Sequence, residues 1–373
     1  MILMEVTIIY GFRNRDIERV KRSLDSLRDQ TDQFFKVIFV DYGSEENVSV
    51  LVKDLIAQYN FCTYLYNETR GMPWNRAHAL NSGIRIATTE YVFTADIDLI
   101  FTENFIAKTK KLAKQGTVAF FPVVYLTPKI DFPAGIRNND LKVSDQNARG
   151  LALINIHDLK EIRGFDEFYC FWGHEDNDLE LRLRLSGCES IFHTAERLLF
   201  HQWHTTIKEN RKEIPERWLT FQSDYLKYNQ TIVLRNSDDW GRIYAMEQRP
   251  ALRKLYDQHT KWEEIDCKPD FLRYRLQKWI AQAKPNDSLA LQWQHPATEE
   301  YNKSNATKYA RILQGLFEYC GIPFSIKNLY SALFPAKCDV RDAFAYFIRE
   351  HKFAVGDFAM DSMFKSLRMV VIK

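Results

Sequence analysis

Two short acidic clusters have the residue types and the spacing for chemistry on a diphosphate-bearing substrate. The first, Asp96–Asp98 with an isoleucine between the two aspartates, follows an apolar run of strand character. The second, Glu175–Asp178, stands behind Trp172 at the start of a helical pattern. Carboxylate oxygens are the ligands that Mg²⁺ and Mn²⁺ prefer, and such ions often share them with a substrate diphosphate. Crowded carboxylates also raise one another's pKa, which suits a general base.

Four other residues are candidates for the same site. His201 and His204 flank a tryptophan just past a short strand, and an imidazole can complete a Mn²⁺ shell begun by a carboxylate. Arg76, on a predicted helix, could balance diphosphate charge, and Asp41, after a strand, could accept hydrogen bonds from a ribose or a base. Ordinary alternatives stay open: structural histidines, an exposed helical arginine, an aspartate that caps a turn, a solvated strand end and a crowded helix start.

The composition predicts a soluble globular protein. The chain has 373 residues, of which 46% are hydrophobic and 27% are charged, and its formal net charge of +2 gives no reason to expect nucleic acid. The six cysteines form no CxxC pair, which argues against a zinc ribbon and a dense disulfide framework. The N-terminus lacks the pattern of a signal peptide, and no apolar run reaches the ~18 residues of a membrane span. We therefore expect a cytoplasmic protein.

The order of strand and helix patterns predicts the architecture. Up to residue 125 strands and helices alternate, which favours a mostly parallel α/β sheet covered by helices on both faces. The predicted strands are 6–10, 35–40, 61–65, 91–94, 118–125 and 150–154, and the predicted helices are 16–27, 48–59, 74–87, 105–113 and 178–185. Helical patterns dominate after about residue 205. We therefore predict one domain over 1–230 and a mainly helical one over 231–373, ending in a basic amphipathic helix at 364–373.

These motifs resemble those of GT-A glycosyltransferases of family 2, in particular the galactosyltransferase-type motif of chondroitin-polymerase-like enzymes and β-1,4-galactosyltransferases. The resemblance covers roughly residues 4 to 205 and implies a GT-A, Rossmann-like catalytic domain. Its motifs are Asp41, Asn75-Arg76 with Asn81 and Gly83, Asp96–Asp98, and Gly164–Glu167 leading into Trp172–Asp178.

The resemblance also implies a role for each candidate residue. Asp176 would be the catalytic base, and Glu175 would hold the acceptor sugar. Asp98 and a histidine, His201 with His204 as the alternate, would bind Mn²⁺ or Mg²⁺. The donor nucleotide and sugar would be bound by Asp41, Arg76, Asp96 and Trp172. The remaining acidic residue, Asp178, is predicted to be structural and to face Arg182 one helical turn along.

The implied function is inverting, metal-dependent transfer of a sugar from a nucleotide sugar, such as UDP-Gal, UDP-GalNAc, UDP-GlcNAc or UDP-Glc. The acceptor would be a hydroxyl of a glycan or lipid-linked glycan in bacterial surface polysaccharide synthesis. Two alternatives are a sugar-nucleotide nucleotidyltransferase, against which the single glycine in Tyr10–Arg15 argues, and a non-catalytic carbohydrate-binding protein. The pattern leaves open peripheral contact with the inner face of the membrane and homo-oligomer formation.

Overall fold

Alternating apolar strands and amphipathic helices build the first part of the chain as the sequence predicts. The computed structural model describes residues 4–128, 141–145, 149–204, 216–246, 262–265, 269–294, 309, 312–313, 315–317, 319–320, 337–351, 354–361 and 366–373. The chain divides into two compact units, Met1–Gln248 and Arg249–Lys373.

A seven-stranded sheet in the order β3-β2-β1-β4-β8-β6-β9 forms the centre of the first unit. Its strands are β1 Val6–Phe12, β2 Phe35–Asp41, β3 Cys62–Tyr66, β4 Tyr91–Ala95, β6 Thr117–Phe120, β8 Ala152–Asn155 and β9 Glu189–Phe192. Strands β1 to β4 run parallel to one another, β8 runs antiparallel to both β4 and β6, and β9 is parallel to β6. The predicted mostly parallel α/β sheet is therefore confirmed.

Helices cover both faces of this sheet because strand side chains point alternately to the two sides. Phe93 packs in one hydrophobic cluster with side chains of α1, α2 and α4, while its neighbour Val92 packs in the other with side chains of α3, α5 and α6. The helices of this unit are α1 Ile17–Arg28, α2 Glu46–Ile56, α3 Arg76–Ile86, α4 Phe105–Lys111, α5 Ile156–Glu161, α6 Glu175–Leu185 and α7 Glu216–Tyr228.

A second, three-stranded sheet in the order β5-β10-β7 brings distant candidates together. Its strands are β5 Leu99–Phe101, β7 Val124–Tyr125 and β10 Leu199–His201. In the antiparallel pairing of β5 with β10, Leu99 lies opposite His201. The residue before β5 is Asp98, so this pairing places the second acidic residue of the first cluster beside the histidine.

Two predicted element bounds differ from the structure. The strand predicted at 118–125 is interrupted between β6 and β7, where Pro122 lacks the N–H that a sheet hydrogen bond needs. The helix predicted at 178–185 begins earlier, at Glu175. Glu175 and Asp176 therefore lie in the first helical turn, where the helix dipole favours negative charge.

The first unit extends past the boundary predicted at residue 230. Trp240 is buried in the cluster on the α3 side of the sheet. Asn236 donates to the carbonyls of Arg163 and Phe165, and the Tyr244 amide donates to Asn67. The segment after α7 therefore packs back onto the catalytic-domain core that the sequence predicts.

The described residues of the second unit contain strands as well as helices, which adds a sheet to the mainly helical region that the sequence predicts. Its described residues include a four-stranded sheet, β11-β12-β14-β13, as well as α8 Pro269–Gln282 and α9 Lys337–Glu350. The strands are β11 Glu263–Glu264, β12 Ser288–Gln294, β13 Asp357–Asp361 and β14 Ser366–Ile372.

The C-terminal tail, predicted as a helix, is the strand β14. Leu367, Met369 and Val371 are buried at a spacing of two, and Val370 is buried in a separate cluster with Ala359. The β-branched residues at 370–372 favour a strand over a helix. Residues 364 and 365 of that prediction lie outside the described part of the chain. Every helix within the described residues is too short or too polar to span a bilayer.

Candidate active site

The carboxyl ends of β1, β2 and β4 lie at one edge of the parallel part of the sheet, which is where such sheets bind ligands. The polar residues that follow these ends are therefore neighbours in the fold. The helix α3 begins with Arg76, and its N-cap Asn75 accepts a hydrogen bond from the His78 amide at 2.8 Å. That cap places the arginine at the start of the helix, facing the acidic clusters.

Arg76 links the two acidic clusters. Its Nε donates to Asp96 Oδ1 at 2.9 Å, and its Nη2 donates to the Gly150 carbonyl at 3.0 Å. Its Nη1 lies 3.9 Å from Glu175 Oε1, and this nitrogen makes no hydrogen bond among the described residues. A guanidinium with one buried N–H pair still unused can accept a further anionic partner.

The charge of Arg76 is secured by its neighbours. Burial alone would lower the pKa of the guanidinium, but Asp96, Glu175 and Asp176 outweigh that effect, so the pKa lies above its usual value. The side chain is only 16% exposed, whereas that of Asp96 is 45% exposed. The site therefore presents a fixed positive charge under a more accessible carboxylate.

Glu175 is poised to exchange a proton near neutral pH. Burial is the main cause that raises the pKa of its carboxyl to about 7; the nearby charge of Asp176 adds to the shift, and Arg76 opposes it. A carboxyl with a pKa near the working pH can both donate and accept a proton.

Asp176 lies beside Glu175 and borders the same small space as Arg76. Its Oδ1 accepts from the Asn177 amide at 2.8 Å. A methyl group built on Gly150 would lie 3.7 Å from Arg76 Nη2 and 3.9 Å from Asp176 Oδ2. The second carboxylate oxygen and the guanidinium therefore approach one common point, next to a residue without a side chain.

The loop before α6 has an unusual backbone. Phe171, Gly173 and His174 all have positive φ, at 65°, 102° and 71°. A positive φ is costly for residues other than glycine, and such strain persists only where the surrounding structure maintains it. Part of that support is the Phe171 amide, which donates to the Trp74 carbonyl at 2.7 Å. Within this loop Trp172 is 43% exposed, so its ring face is available to a ligand.

Asp98, His201 and His204 form a candidate metal site. One ligand atom from each of these residues lies within 4.8 Å of the others. Asp98 Oδ2 lies 3.0 Å from His204 Nε2, and its Oδ1 lies 3.5 Å from His201 Nε2. The side chains are 13% to 23% exposed, so the cluster is partly sheltered. Burial acts to raise the pKa of Asp98, but the two histidines outweigh it and hold that pKa below its usual range.

The residues present fit a divalent cation. Asp98 Oδ1 is buried and, although it lies 3.5 Å from His201 Nε2, it accepts no hydrogen bond within the described part of the chain. A carboxylate and two imidazoles suit Mn²⁺ better than Mg²⁺, which prefers an all-oxygen shell. Both histidines, and not one of the two, are placed to serve as ligands.

The two aspartates of the first cluster have different partners. Strand alternation does not apply to this pair, because β4 ends at Ala95 and residues 96–98 turn into β5. Asp96 pairs with Arg76, whereas Asp98 pairs with the histidines. One short segment thus connects the arginine side of the site to the metal side.

Asp41 is buried with both carboxylate oxygens already bonded. Its Oδ1 accepts from the Ser44 amide at 2.9 Å, and its Oδ2 accepts from the Tyr64 hydroxyl at 2.8 Å. The side chain is fully buried. This arrangement is that of a turn cap after β2, and the contact with a nucleotide remains a prediction.

The predicted pairing of Asp178 with Arg182 is confirmed, with Arg182 Nε 2.6 Å from Asp178 Oδ2. Two other contributors were missed by sequence reasoning. The Gly150 carbonyl is a backbone acceptor, which no residue type indicates. Arg235, which also bonds Asp178, lies in a polar stretch beyond the predicted domain boundary.

The sequence that forms most of the first unit matches a known protein family. The family model described as Glycosyl transferase family 2 matches residues 7–174. Residues 7–174 are a family 2 glycosyltransferase domain. The match confirms the predicted family and enzyme class, and the sheet flanked by helices agrees with the predicted α/β fold class. It ends at His174, directly before the carboxylate pair of α6.

Curated relatives of this family 2 domain include chondroitin sulfate N-acetylgalactosaminyltransferase 2 of Homo sapiens and of Mus musculus. Each is 26% identical over 189 residues, which is 46% of this chain and 34% of the relative. The chain thus spans about a third of the length of these relatives. Among solved structures, GalNAc-T7 with UDP, GalNAc and Mn²⁺ is 16% identical with a TM-score of 0.44, covering 54% of this chain and 44% of that one.

Proposed function

We propose that this chain transfers a sugar from a nucleotide-sugar donor to a hydroxyl group of a glycan acceptor, with inversion at the anomeric carbon. The observation that carries the proposal is the position of Arg76 between two carboxylates, Asp96 on the side of the metal cluster and Glu175 on the side of α6. A donor diphosphate needs positive charge, and an attacking hydroxyl needs a carboxylate base. The two requirements meet at this residue.

The acceptor end consists of Asp176, Glu175 and Trp172. An acceptor hydroxyl oxygen attacks the anomeric carbon, and its proton moves to a carboxylate oxygen of Asp176. The bond from that carbon to the diphosphate oxygen breaks, and the nucleoside diphosphate leaves with the electron pair. Glu175, whose pKa is about 7, hydrogen-bonds the acceptor sugar, and the exposed Trp172 ring packs on a sugar face.

The donor end consists of Arg76, Asp96 and the metal cluster. Asp98, His201 and His204 would hold Mn²⁺. The bound ion would stabilise negative charge on the departing diphosphate. Arg76 supplies a second, permanent positive charge, and Asp96 orients it through its 2.9 Å hydrogen bond while its exposed oxygen is available to the donor.

The donor sugar that we propose first is N-acetylgalactosamine, carried by UDP. The support is the name of the curated relatives, which are N-acetylgalactosaminyltransferases. A role in bacterial surface polysaccharide synthesis at the inner face of the membrane remains a prediction from the sequence.

Donor screening tests the proposal. UDP release should be measured with Mn²⁺ and a mixed glycan acceptor pool for UDP-GalNAc, UDP-Gal, UDP-GlcNAc and UDP-Glc, with GDP-Man as a further donor. Asp176→Asn should lose transfer by at least about 100-fold while UDP and Mn²⁺ affinity stay within twofold. Asp54→Asn, an exposed carboxylate on α2, is the matched control and should transfer normally. Absence of stimulated release with every donor, or full activity of Asp176→Asn, would refute the proposal.

A further inference from the structure

The segment after α7, residues 229–246, lies beyond the family match and yet contacts the loop that carries the acceptor end. We propose that Arg235 in this segment is a positioning residue that holds the loop 166–178, and with it Trp172, Glu175 and Asp176, in the geometry for transfer. The inference rests on the proposed function and extends it to a residue outside the family match.

Arg235 belongs to a buried cluster of four charged side chains. Its Nη1 bonds Asp178 Oδ1 and lies 3.7 Å from Asp166 Oδ2. Arg182 Nε lies 2.6 Å from the other oxygen of Asp178. All four side chains are at most 2% exposed. Two carboxylates and two guanidiniums balance in charge, so removal of Arg235 would leave an uncompensated negative charge in the interior.

Arg235 connects the two ends of the loop. Asp166 stands at its start, where its Oδ1 accepts from the Phe168 amide at 2.9 Å. Asp178 stands at its end, within the first turns of α6, and its amide donates to the His174 carbonyl at 3.0 Å. One guanidinium therefore bridges the residues on either side of the strained backbone at 171–174.

The strain gives this bridge a mechanical purpose. Phe171 and His174 have positive φ without being glycine, and such a backbone is strained unless the surrounding structure maintains it. A loop with stored strain relaxes when its anchors weaken, and a displacement of about 1 Å at a reacting group can cost about 100-fold in rate. Loss of Arg235 should therefore move Glu175 and Asp176 before it unfolds the domain.

The arginine fork is itself held in place. Nε donates to the Ile232 carbonyl at 3.1 Å, and Nη2 donates to the Asn229 carbonyl at 2.6 Å. Tyr225 adds a hydrogen bond to Asp166 Oδ2 at 3.0 Å and stacks on Phe168 with ring centroids 3.8 Å apart. Lysine has a single ammonium on a flexible stem and cannot make this set of contacts.

The donor end is built on other elements, and this gives the test its selectivity. Asp98 precedes β5, and His201 ends β10. A fault at Arg235 should therefore affect the acceptor step and leave donor binding intact. If Arg235 served folding alone, its loss would lower the rate of the acceptor step and the amount of bound donor by the same factor, the fraction of protein that is unfolded.

The experiment compares Arg235→Lys and Arg235→Met with Arg184→Met, which removes an exposed arginine from the same helix α6 that carries Asp178. Steady-state transfer should be measured well below the melting temperature, with acceptor and donor varied separately, together with UDP and Mn²⁺ affinity. Both Arg235 variants should lose about 100-fold in kcat/KM for the acceptor, with the donor KM and the UDP Kd within twofold. Arg184→Met should match the wild type.

The outcomes separate the two proposals. If wild-type protein transfers no sugar, the proposed function fails. The positioning role is wrong if wild-type protein transfers sugar and the Arg235 variants are impaired equally toward acceptor and donor. It is also wrong if the variants are impaired toward neither. Should both Arg235 variants fail to fold by circular dichroism, Tyr225→Phe decides, because it removes the hydroxyl that bonds Asp166 and keeps the ring that stacks on Phe168. It should show the same acceptor-selective loss at a smaller size, and an unchanged acceptor kcat/KM would overturn the inference.

Discussion

The Arg76 guanidinium lies 3.9 Å from the Glu175 carboxylate, although Arg76 begins α3 within the family match and Glu175 begins α6 just beyond its end. The same guanidinium is bonded to Asp96, whose neighbour Asp98 belongs to the metal cluster. The donor end and the acceptor end of the site thus share one buried cation. A change at this cation should be felt at both ends.

Arg76→Lys should lower kcat by about 100- to 1,000-fold, the range seen when one preorganised donor to a developing charge is removed. Lysine keeps the charge but cannot bond Asp96 and the Gly150 carbonyl at the same time. Rapid-quench measurement of a single turnover gives the effect on the chemical step. Arg28→Lys, on the exposed surface of α1, controls for the substitution itself, and equal rates for the two variants would contradict the argument.

The raised pKa of Glu175 predicts how stability depends on pH. Its pKa is about 7 in the folded protein against 4.5 ordinarily, so between these values the folded state binds more protons than the unfolded state. The contribution of the Glu175 carboxyl to the free energy of unfolding is fully present below about pH 4.5 and is lost as the pH rises through 7. Glu175→Gln should therefore be more stable than the wild type at pH 8, and the difference should vanish near pH 5.

Urea unfolding of both proteins at pH 5, 6.5 and 8 measures this difference. Glu161→Gln, at a solvent-exposed glutamate on α5, should show no such pH-dependent gain. If the free energies of unfolding of Glu175→Gln and the wild type differed by the same amount at all three pH values, burial would not shift the pKa of Glu175. If the stability gained by Glu175→Gln increased as the pH fell, the pKa of Glu175 would be lowered in the folded protein instead of raised.

Local patterns in the sequence were enough to predict the sheet and both acidic clusters. The alternation of Val92 and Phe93 between the two faces follows from strand geometry, and the spacing within each cluster is visible in the sequence. The bridge from Arg235 to Asp178 joins residues far apart along the chain, and neither residue type nor local spacing indicates such a contact. The Gly150 carbonyl was missed for another reason, since every residue has one.

The C-terminal strand β14 shows where local patterns mislead. Its charged and apolar residues also fit an amphipathic helix, and the pairing of Met369 with Leu291 and Met360 on neighbouring strands decides between the two. Such pairing is a tertiary contact that overrides a weak local preference.

Replacement of either histidine should weaken Mn²⁺ binding. His201 and His204 both face Asp98, so His201→Gln and His204→Gln should each reduce Mn²⁺ affinity by at least about tenfold. Loss of a residue that only orients a metal ligand already costs about tenfold in affinity, and loss of a ligand should cost no less. Titration followed by the Mn²⁺ electron paramagnetic resonance signal measures the affinity directly. His351→Gln, at a histidine of the second unit that belongs to no candidate metal cluster among the described residues, serves as the control. Unchanged affinity in one variant would restrict the site to the other histidine.

Removal of the Asp41 carboxylate should destabilise the first unit. Asp41→Ala leaves the Ser44 amide and the Tyr64 hydroxyl without their acceptor, and a buried donor without a partner costs about 1–3 kcal/mol. Urea unfolding should show this loss, whereas Asp54→Ala on the exposed side of α2 should be close to neutral. The UDP Kd of Asp41→Ala, measured where the protein is folded, separates the turn cap from the predicted nucleotide contact. Because both oxygens of Asp41 already accept hydrogen bonds within the protein, we expect the UDP Kd to change by less than threefold, and a tenfold rise would instead establish Asp41 as a donor-binding residue.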